Sequence, residues 1–260
     1  MLLWQALILA VVQGVTEFLP VSSSGHLALL QNIMDIKEGE SSLFFSIILH
    51  LFSALAVCCF MYRDIIGAFK SNRRIIYAVV IATVPGAMLG VFAEDYVASF
   101  AQNGILFGAC FLGTGFFLMV GEHLSHTRYS LKDVPVFRFI VIGLAQAAAI
   151  LPGLSRSGLT ISSGLVMGLE RGDAARFSFL LSLPIIFGAT AKKILFEYDK
   201  LKVNFEPITI LAAGVVTFVV SLLALSVLLR IVQKRKLVYF AVYCAILGVT
   251  VLILAIIGKA

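Results

Sequence analysis

Leu151-Pro152-Gly153-Leu154-Ser155-Arg156-Ser157-Gly158-Leu159-Thr160 stands between two long apolar runs, and its arginine decides how the chain must fold. An arginine at membrane depth costs about 2.5–3.5 kcal/mol or more unless it meets an anion or a polar cavity. Proline and glycine around it break a helix and free backbone N–H groups, and the flanking hydroxyls add further donors. Together they read as a buried anion-binding loop. The plainer alternative is an arginine at a helix end that snorkels to the interface.

The rest of the chain sets the solvent. Its 260 residues are 60% hydrophobic and 13% charged, with a mean hydropathy of +1.04. Soluble domains carry about 25% charged residues, so this is a membrane protein, read as one membrane domain over 1–260. The net charge of +6 is no nucleic-acid signal, because the basic residues cluster in short loops between apolar spans. Cys58, Cys59, Cys110 and Cys244 lie inside apolar runs without metal-ligand spacing and read as small hydrophobes. Residues 2–19 are apolar, but Gln13, Thr16 and Glu17 interrupt them and no basic segment precedes them, so they read as fold rather than as a cleaved leader.

Six stretches are long and apolar enough to span a bilayer: about 43–61, 75–92, 104–121, 174–191, 208–229 and 238–257. Two further apolar segments are broken. One covers about 2–34, around Leu19-Pro20-Val21-Ser22-Ser23-Ser24-Gly25-His26; the other covers about 136–169, around Arg156. Neither half of either segment crosses alone, so each reads as a re-entrant helix–loop–helix. Gln13, Ser22, Ser24 and Gly25 match Gln146, Ser155, Ser157 and Gly158 at a constant offset of 133, and Leu19-Pro20 matches Leu151-Pro152 with a one-residue slip. Phe45-Ser46, Leu49 and Leu51 match Phe177-Ser178, Leu181 and Leu183 at an offset of 132. This implies a duplication, with repeat one about 1–121 and repeat two about 136–260. Three spans per repeat invert the second copy, as in many transporters with sites at the midplane. The expected fold is therefore all-α: six transmembrane helices plus two re-entrant hairpins in inverted-topology repeats.

Loop charges orient it. Arg63, Lys70, Arg73 and Arg74, then Arg128, Lys132 and Arg138, then Arg230, Lys234, Arg235 and Lys236 fall on one side, which should be cytoplasmic. Asp35, Glu38, Glu40, Glu94 and Asp95 fall opposite, with both termini. Lys192, Lys193, Lys200 and Lys202 are an exception there, diluted by Glu197 and Asp199.

Glu17 follows Gln13 by four residues, which places both on one helical face. It is either a structural partner for Arg156 or a metal ligand or base beside bound phosphate. One of Ser22, Ser23 and Ser24 should cap the following half-helix, leaving the others to bind or attack phosphate. His26, close to Ser23, can accept or donate a proton. His50 is mid-span, suited equally to packing and to lining a site. His123 and His126 read as solvated. Thr160, Ser162 and Ser163 can back-bond to their helix, and Thr160 is the one placed to touch ligand. Two half-helix N-termini facing each other, with Arg156, suit a multivalent phosphate. Glu17 would repel such an anion, which calls for an intervening divalent cation.

At Gln13-Gly14-Val15-Thr16-Glu17-Phe18-Leu19-Pro20-Val21-Ser22-Ser23-Ser24-Gly25-His26 and at Pro152 to Thr160 the chain resembles the undecaprenyl-diphosphate phosphatase family, membrane phosphatases tied to bacitracin resistance. The resemblance runs over the whole length and includes Phe177-Ser178-Phe179-Leu180-Leu181. It implies hydrolysis of undecaprenyl diphosphate to undecaprenyl phosphate and inorganic phosphate, which recycles the lipid carrier for peptidoglycan synthesis, cell-wall biogenesis and cell shape. It implies Mg2+ or Ca2+ as cofactor, held by Glu17 and Gln13, and a multi-pass protein of the bacterial cell (inner) membrane whose pocket opens to the external or periplasmic side. Carried over by position, Glu17 and His26 look catalytic, Ser23 looks like the nucleophile and Arg156 like the diphosphate clamp. Ser22, Ser24, Gly25, Ser155, Ser157, Gly158 and Thr160 look like diphosphate-binding residues. Partners are the lipid substrate and membrane lipids, with no nucleic acid; a homodimer is one assembly this allows. Many members have glutamate where this chain has Gln13, which leaves one carboxylate in the motif. The rival reading is a transporter or flippase of polyprenyl phosphate lipids, since fold alone does not settle function; a non-catalytic scaffold needs no midplane arginine.

Overall fold

The computed structural model describes residues 1–36, 40–92, 103–196 and 206–257, and among them the regular structure is helical apart from one bridge between Tyr129 and Leu169. In chain order the helices are α1 (Leu3–Thr16), α2 (Ser23–Ile33), α3 (Glu40–Phe60), α4 (Tyr62–Lys70), α5 (Arg73–Phe92), α6 (Gly104–His123), α7 (Val136–Ala148), α8 (Arg156–Val166), α9 (Arg171–Phe196), α10 (Pro207–Gln233) and α11 (Val238–Ile256). Five of them are long and apolar enough to cross a membrane, or six if α3 and α4, bent by 67°, count as one span. Their outward surface is apolar: Leu223, Ile246, Phe116 and Val215 are exposed. The buried set instead holds Gln13, Glu17, Ser53, Thr114, Gln146 and Arg171. Polar groups turned inward under an apolar coat are what a lipid solvent selects.

Both broken segments fold as hairpins whose open ends meet. Gln5 Nε2 on α1 donates to the carbonyl of Met34 just after α2, at 3.3 Å. Arg138 on α7 donates to the carbonyl of Met167 just after α8. Each tip is set by its sequence. Pro20 carries no N–H and the chain turns through Ser22, at φ 70°, a left-handed conformation that a serine holds at a cost of about 1–3 kcal/mol. In the second tip Pro152 and Gly153, at φ 91°, reverse the chain. Ser155 Oγ then accepts from the Gly158 N–H at 3.1 Å and caps α8. The 11 residues of α8 rise about 16 Å, roughly half of the ~30 Å hydrocarbon layer.

The tips touch each other and two long helices. Ser157 Oγ donates to the Leu19 carbonyl at 3.1 Å. Thr114 on α6 donates to the Gly153 carbonyl (3.1 Å) and accepts from the Ser155 N–H (3.0 Å). Cys244 Sγ on α11 lies 3.6 Å from the Pro20 carbonyl. Helix pairing is reciprocal: α1 packs on α10 while α7 packs on α5, α6 packs on α11, and α3 packs on α9. Glycines allow these approaches. A Cβ on Gly14 would lie 2.9 Å from the Thr217 carbonyl oxygen, and one on Gly143 would lie 2.7 Å from that of Ala82. Small residues at helix crossings are the usual device where lipid removes the hydrophobic drive for association.

The three basic loops interlock at one end of the bundle. Arg74 donates to the Val134 carbonyl. Arg171 pairs with Glu122 at 3.0 Å and donates to the Val232 carbonyl at 3.2 Å. Arg176 pairs with Asp64 at 2.7 Å. One expected loop proves helical: Arg63 and Lys70 sit in α4, which exposes Tyr62, Ile66 and Phe69 and buries Ala68. Its charged residues mask an amphipathic helix in a linear reading. Glu38, Glu94, Asp95, Glu197, Asp199, Lys200 and Lys202, and the side chain of Glu40, lie outside the described residues.

Candidate active site

A cavity of about 340 Å³ opens above the meeting point of the tips. Its floor is Glu17, Ser23 and Arg156. The Arg156 Nη2 donates to Glu17 Oε1 at 2.5 Å, and the Ser23 hydroxyl donates to Glu17 Oε2 at 2.7 Å. Gln13 Nε2 donates to the same oxygen from one turn below, at 3.1 Å. The other half of the fork, Arg156 Nη1, is buried without a hydrogen-bond partner. Side chains of Glu17 and Arg156 are 5% and 18% exposed, so the pair is removed from bulk solvent.

His50 reaches the floor from α3. Its Nδ1 lies 2.7 Å from the Ser46 carbonyl and must therefore carry a proton. Its Nε2 lies 3.5 Å from Glu17 Oε2. The carboxylate of Glu17 therefore has the Ser23 hydroxyl on one side and the His50 ring on the other.

The cavity gathers Glu17, Ser22, Ser23, Ser24, Ser155 and Arg156 from the expected set. Other members lie behind it. Gly25 packs so closely that a Cβ there would clash with the Phe111 ring. The N–H of Gly158 is taken by Ser155 Oγ, and the hydroxyl of Ser157 is taken by the Leu19 carbonyl. Thr160 Oγ1 donates to the Arg156 carbonyl at 2.8 Å and lies 2.7 Å from Ser178 Oγ, which ties α8 to α9. His26 faces the other way. Its Nδ1 donates to the Ser22 carbonyl (2.7 Å), its Nε2 accepts from the Tyr243 hydroxyl (2.6 Å), and the two rings stack at 9°. Residues that linear reasoning left out also line the space: Ser46, Ile47, Ile185, Ile186, Thr190 and Lys193. They come from α3 and α9, and only the 132-residue match between those helices hinted that they might share a site.

Among the described residues no three His, Cys, Asp or Glu side chains come together as a metal cage. Among the described residues Glu17 is the one carboxylate lining the cavity, and the amide oxygen of Gln13 beside it is buried without a partner. That donor set fits a hard cation that brings phosphate oxygens and water with it. It does not make a resident all-protein site.

An all-helical multi-pass membrane protein, with a buried carboxylate, serine and arginine at the junction of two broken helices, is the class this architecture defines. The chain belongs to the bacitracin resistance protein BacA family, which matches residues 6–250. It is 41% identical to the undecaprenyl-diphosphatase of Carboxydothermus hydrogenoformans, over 98% of each chain. It is 39% identical to that of Methanobrevibacter smithii, over 95% of each. The undecaprenyl-diphosphatase of Halothermothrix orenii is 37% identical over 97% of this chain and 98% of its own.

Proposed function

We propose that the protein hydrolyses undecaprenyl diphosphate to undecaprenyl phosphate and inorganic phosphate, and so returns the lipid carrier to cell-wall synthesis. The observation that carries this is the Ser23 hydroxyl aimed at Glu17 Oε2 while Arg156 holds the other carboxylate oxygen. Translocation needs an anion site but no serine poised on a base. Full-length similarity to proteins named undecaprenyl-diphosphatase supports the same substrate.

In this reading Ser23 Oγ gives its proton to Glu17 and attacks the terminal phosphorus. The bond from that phosphorus to the bridging oxygen breaks, and the lipid monophosphate leaves with the proton. Water then attacks the phosphoserine, loses its proton to Glu17 and releases inorganic phosphate, restoring Ser23. Arg156 uses its second guanidinium nitrogen on the phosphoryl oxygens, where a preorganised charge is worth most. His50 keeps the Glu17 carboxylate oriented from 3.5 Å and relays protons to and from it during turnover. His26 fixes the first turn of α2 through the Ser22 carbonyl and so aims Ser23. Mg2+ or Ca2+ would be held by Glu17, the Gln13 amide oxygen and the diphosphate, and would supply neutralisation of phosphate charge.

The same reading assigns six crossing elements and two re-entrant hairpins to inverted repeats. Hairpin ends that meet, tips that touch and reciprocal helix pairing support it. The interlocked basic end is cytoplasmic, so the cavity opens on the external face of the cell membrane. Phosphate release by purified protein from undecaprenyl diphosphate, with and without EDTA, tests the function. Movement of the lipid across vesicles with no phosphate released would replace it with the transporter reading.

A further inference from the structure

The floor of the cavity is close to electrically neutral, because Glu17 and Arg156 cancel. A diphosphate monoester brings at least two negative charges. Beyond the part of that charge a bound divalent cation would offset, a desolvated floor with no net charge favours further positive partners around the diphosphate. The cavity has such a charge elsewhere. Thr190 and Lys193 line it from α9, three residues apart and so on one helical face. They extend the stripe begun by Ile186, also in the lining. Lys193 lies 22 positions beyond Arg171, which is in the basic network at the opposite end of α9. At 1.5 Å per residue that is about 33 Å, so Lys193 stands at the mouth rather than the floor. No ion pair to Lys193 is present among the described residues. Lys192 and Lys193 also break the rule that basic residues collect on the cytoplasmic side; a lysine retained on the wrong side for topology has another use.

We propose that Lys193, with the Thr190 hydroxyl, forms a second anion subsite at the cavity mouth that takes the lipid-linked phosphate while Arg156 takes the terminal one. This rests on the phosphatase reading for its substrate, but the subsite itself is defined by chemistry alone: two anionic phosphates joined by a bridging oxygen. The arrangement makes the protein a selector of diphosphates over monophosphates. The product lipid, left with one phosphate, holds to Lys193 alone and leaves. Ile47 and Ile185 in the same wall offer apolar surface for the first carbons of the lipid.

The test uses full-length protein in lipid nanodiscs, with inorganic pyrophosphate and inorganic phosphate as calorimetric probes, for wild type, Lys193→Met and Lys193→Arg. Wild type should bind pyrophosphate more tightly than phosphate. Lys193→Met should lose roughly tenfold to a hundredfold in pyrophosphate affinity, the usual weight of a hydrogen bond to a charged group, and keep its phosphate affinity within about threefold. Retained phosphate binding shows that the variant is folded. Lys193→Arg should retain the pyrophosphate preference. With undecaprenyl diphosphate, Lys193→Met should raise KM far more than it lowers kcat. Pyrophosphate affinity unchanged in Lys193→Met, or both probes lost equally, overturns the subsite. A wild-type protein that releases no phosphate yet shows the Lys193-dependent pyrophosphate preference would sink the phosphatase reading and leave the subsite standing.

Discussion

Arg156→Ala separates a clamp from a structural ion pair. Arg156 and Glu17 are buried together at 2.5 Å, so removing the guanidinium leaves the carboxylate, among the described residues, with the Ser23, Gln13 and His50 side chains. Breaking one side of such a pair costs about 3–5 kcal/mol of stability, reduced here by whatever proton Glu17 can take up. If Arg156 also holds the phosphoryl group, turnover falls by a further ~10²–10³, because Nη1 has no structural partner to lose. The design therefore compares Arg156→Ala, Arg156→Lys and the double variant Arg156→Ala/Glu17→Gln, each scored for thermal aggregation in detergent and for phosphate release at saturating lipid. The double variant should regain most of the stability that Arg156→Ala loses and none of the activity. Arg156→Lys should keep the charge and the stability but rescue turnover poorly, since a point charge does not reproduce a planar fork. Turnover near wild type in Arg156→Ala would refute the clamp and leave a purely structural pair.

His50→Phe should lower kcat by about 10²-fold, the low end for a lost proton-transfer partner; more than half the wild-type rate would remove His50 from the site. Gly143→Ala should destabilise by about 1–3 kcal/mol through overpacking on the Ala82 backbone, whereas Gly67→Ala, whose Cβ meets nothing within 4 Å, should be neutral or slightly stabilising; equal melting of the two would contradict the close α5–α7 approach. In intact cells, an impermeant thiol reagent should label Asp35→Cys and not Lys234→Cys in a cysteine-free background, and the reverse pattern would turn the protein over.

The sequence showed which segments are helical because apolar runs of span length have few other options, and it showed where two of them break because Pro20, Pro152 and Gly153 interrupt them. It marked Glu17, Arg156 and the hydroxyls of Ser22, Ser23 and Ser24 because charge and polar groups are expensive at that depth, and only the family resemblance singled out Ser23. It did not show which histidine faces the carboxylate. His26 is three residues from Ser23 but turns toward Tyr243, whereas His50 is 33 residues from Glu17 and is carried in by α3. Chain proximity ranks candidates by distance along the backbone; side-chain direction on a helix is set by what the helix packs against. The resemblance implied diphosphate-binding roles for Gly25, Gly158 and Thr160; what only the packed structure shows is their close packing, capping and interhelical hydroxyl contact. Lys193 looked like a flaw in the topology, and its place in the cavity appears only once α9 is packed against the tips.

The most direct test is a rapid acid quench of a single turnover with undecaprenyl diphosphate labelled in its terminal phosphate, followed by peptide mapping, on wild type and Ser23→Ala beside Ser22→Ala and Ser24→Ala. A covalent route through Ser23 predicts label on the peptide carrying Ser23, a Ser23→Ala rate more than about 10³-fold below wild type, and much smaller losses in the neighbouring variants. Absence of labelled peptide together with a Ser23→Ala rate of about a tenth of wild type or more, above the loss expected for even one hydrogen bond to developing charge, would contradict it.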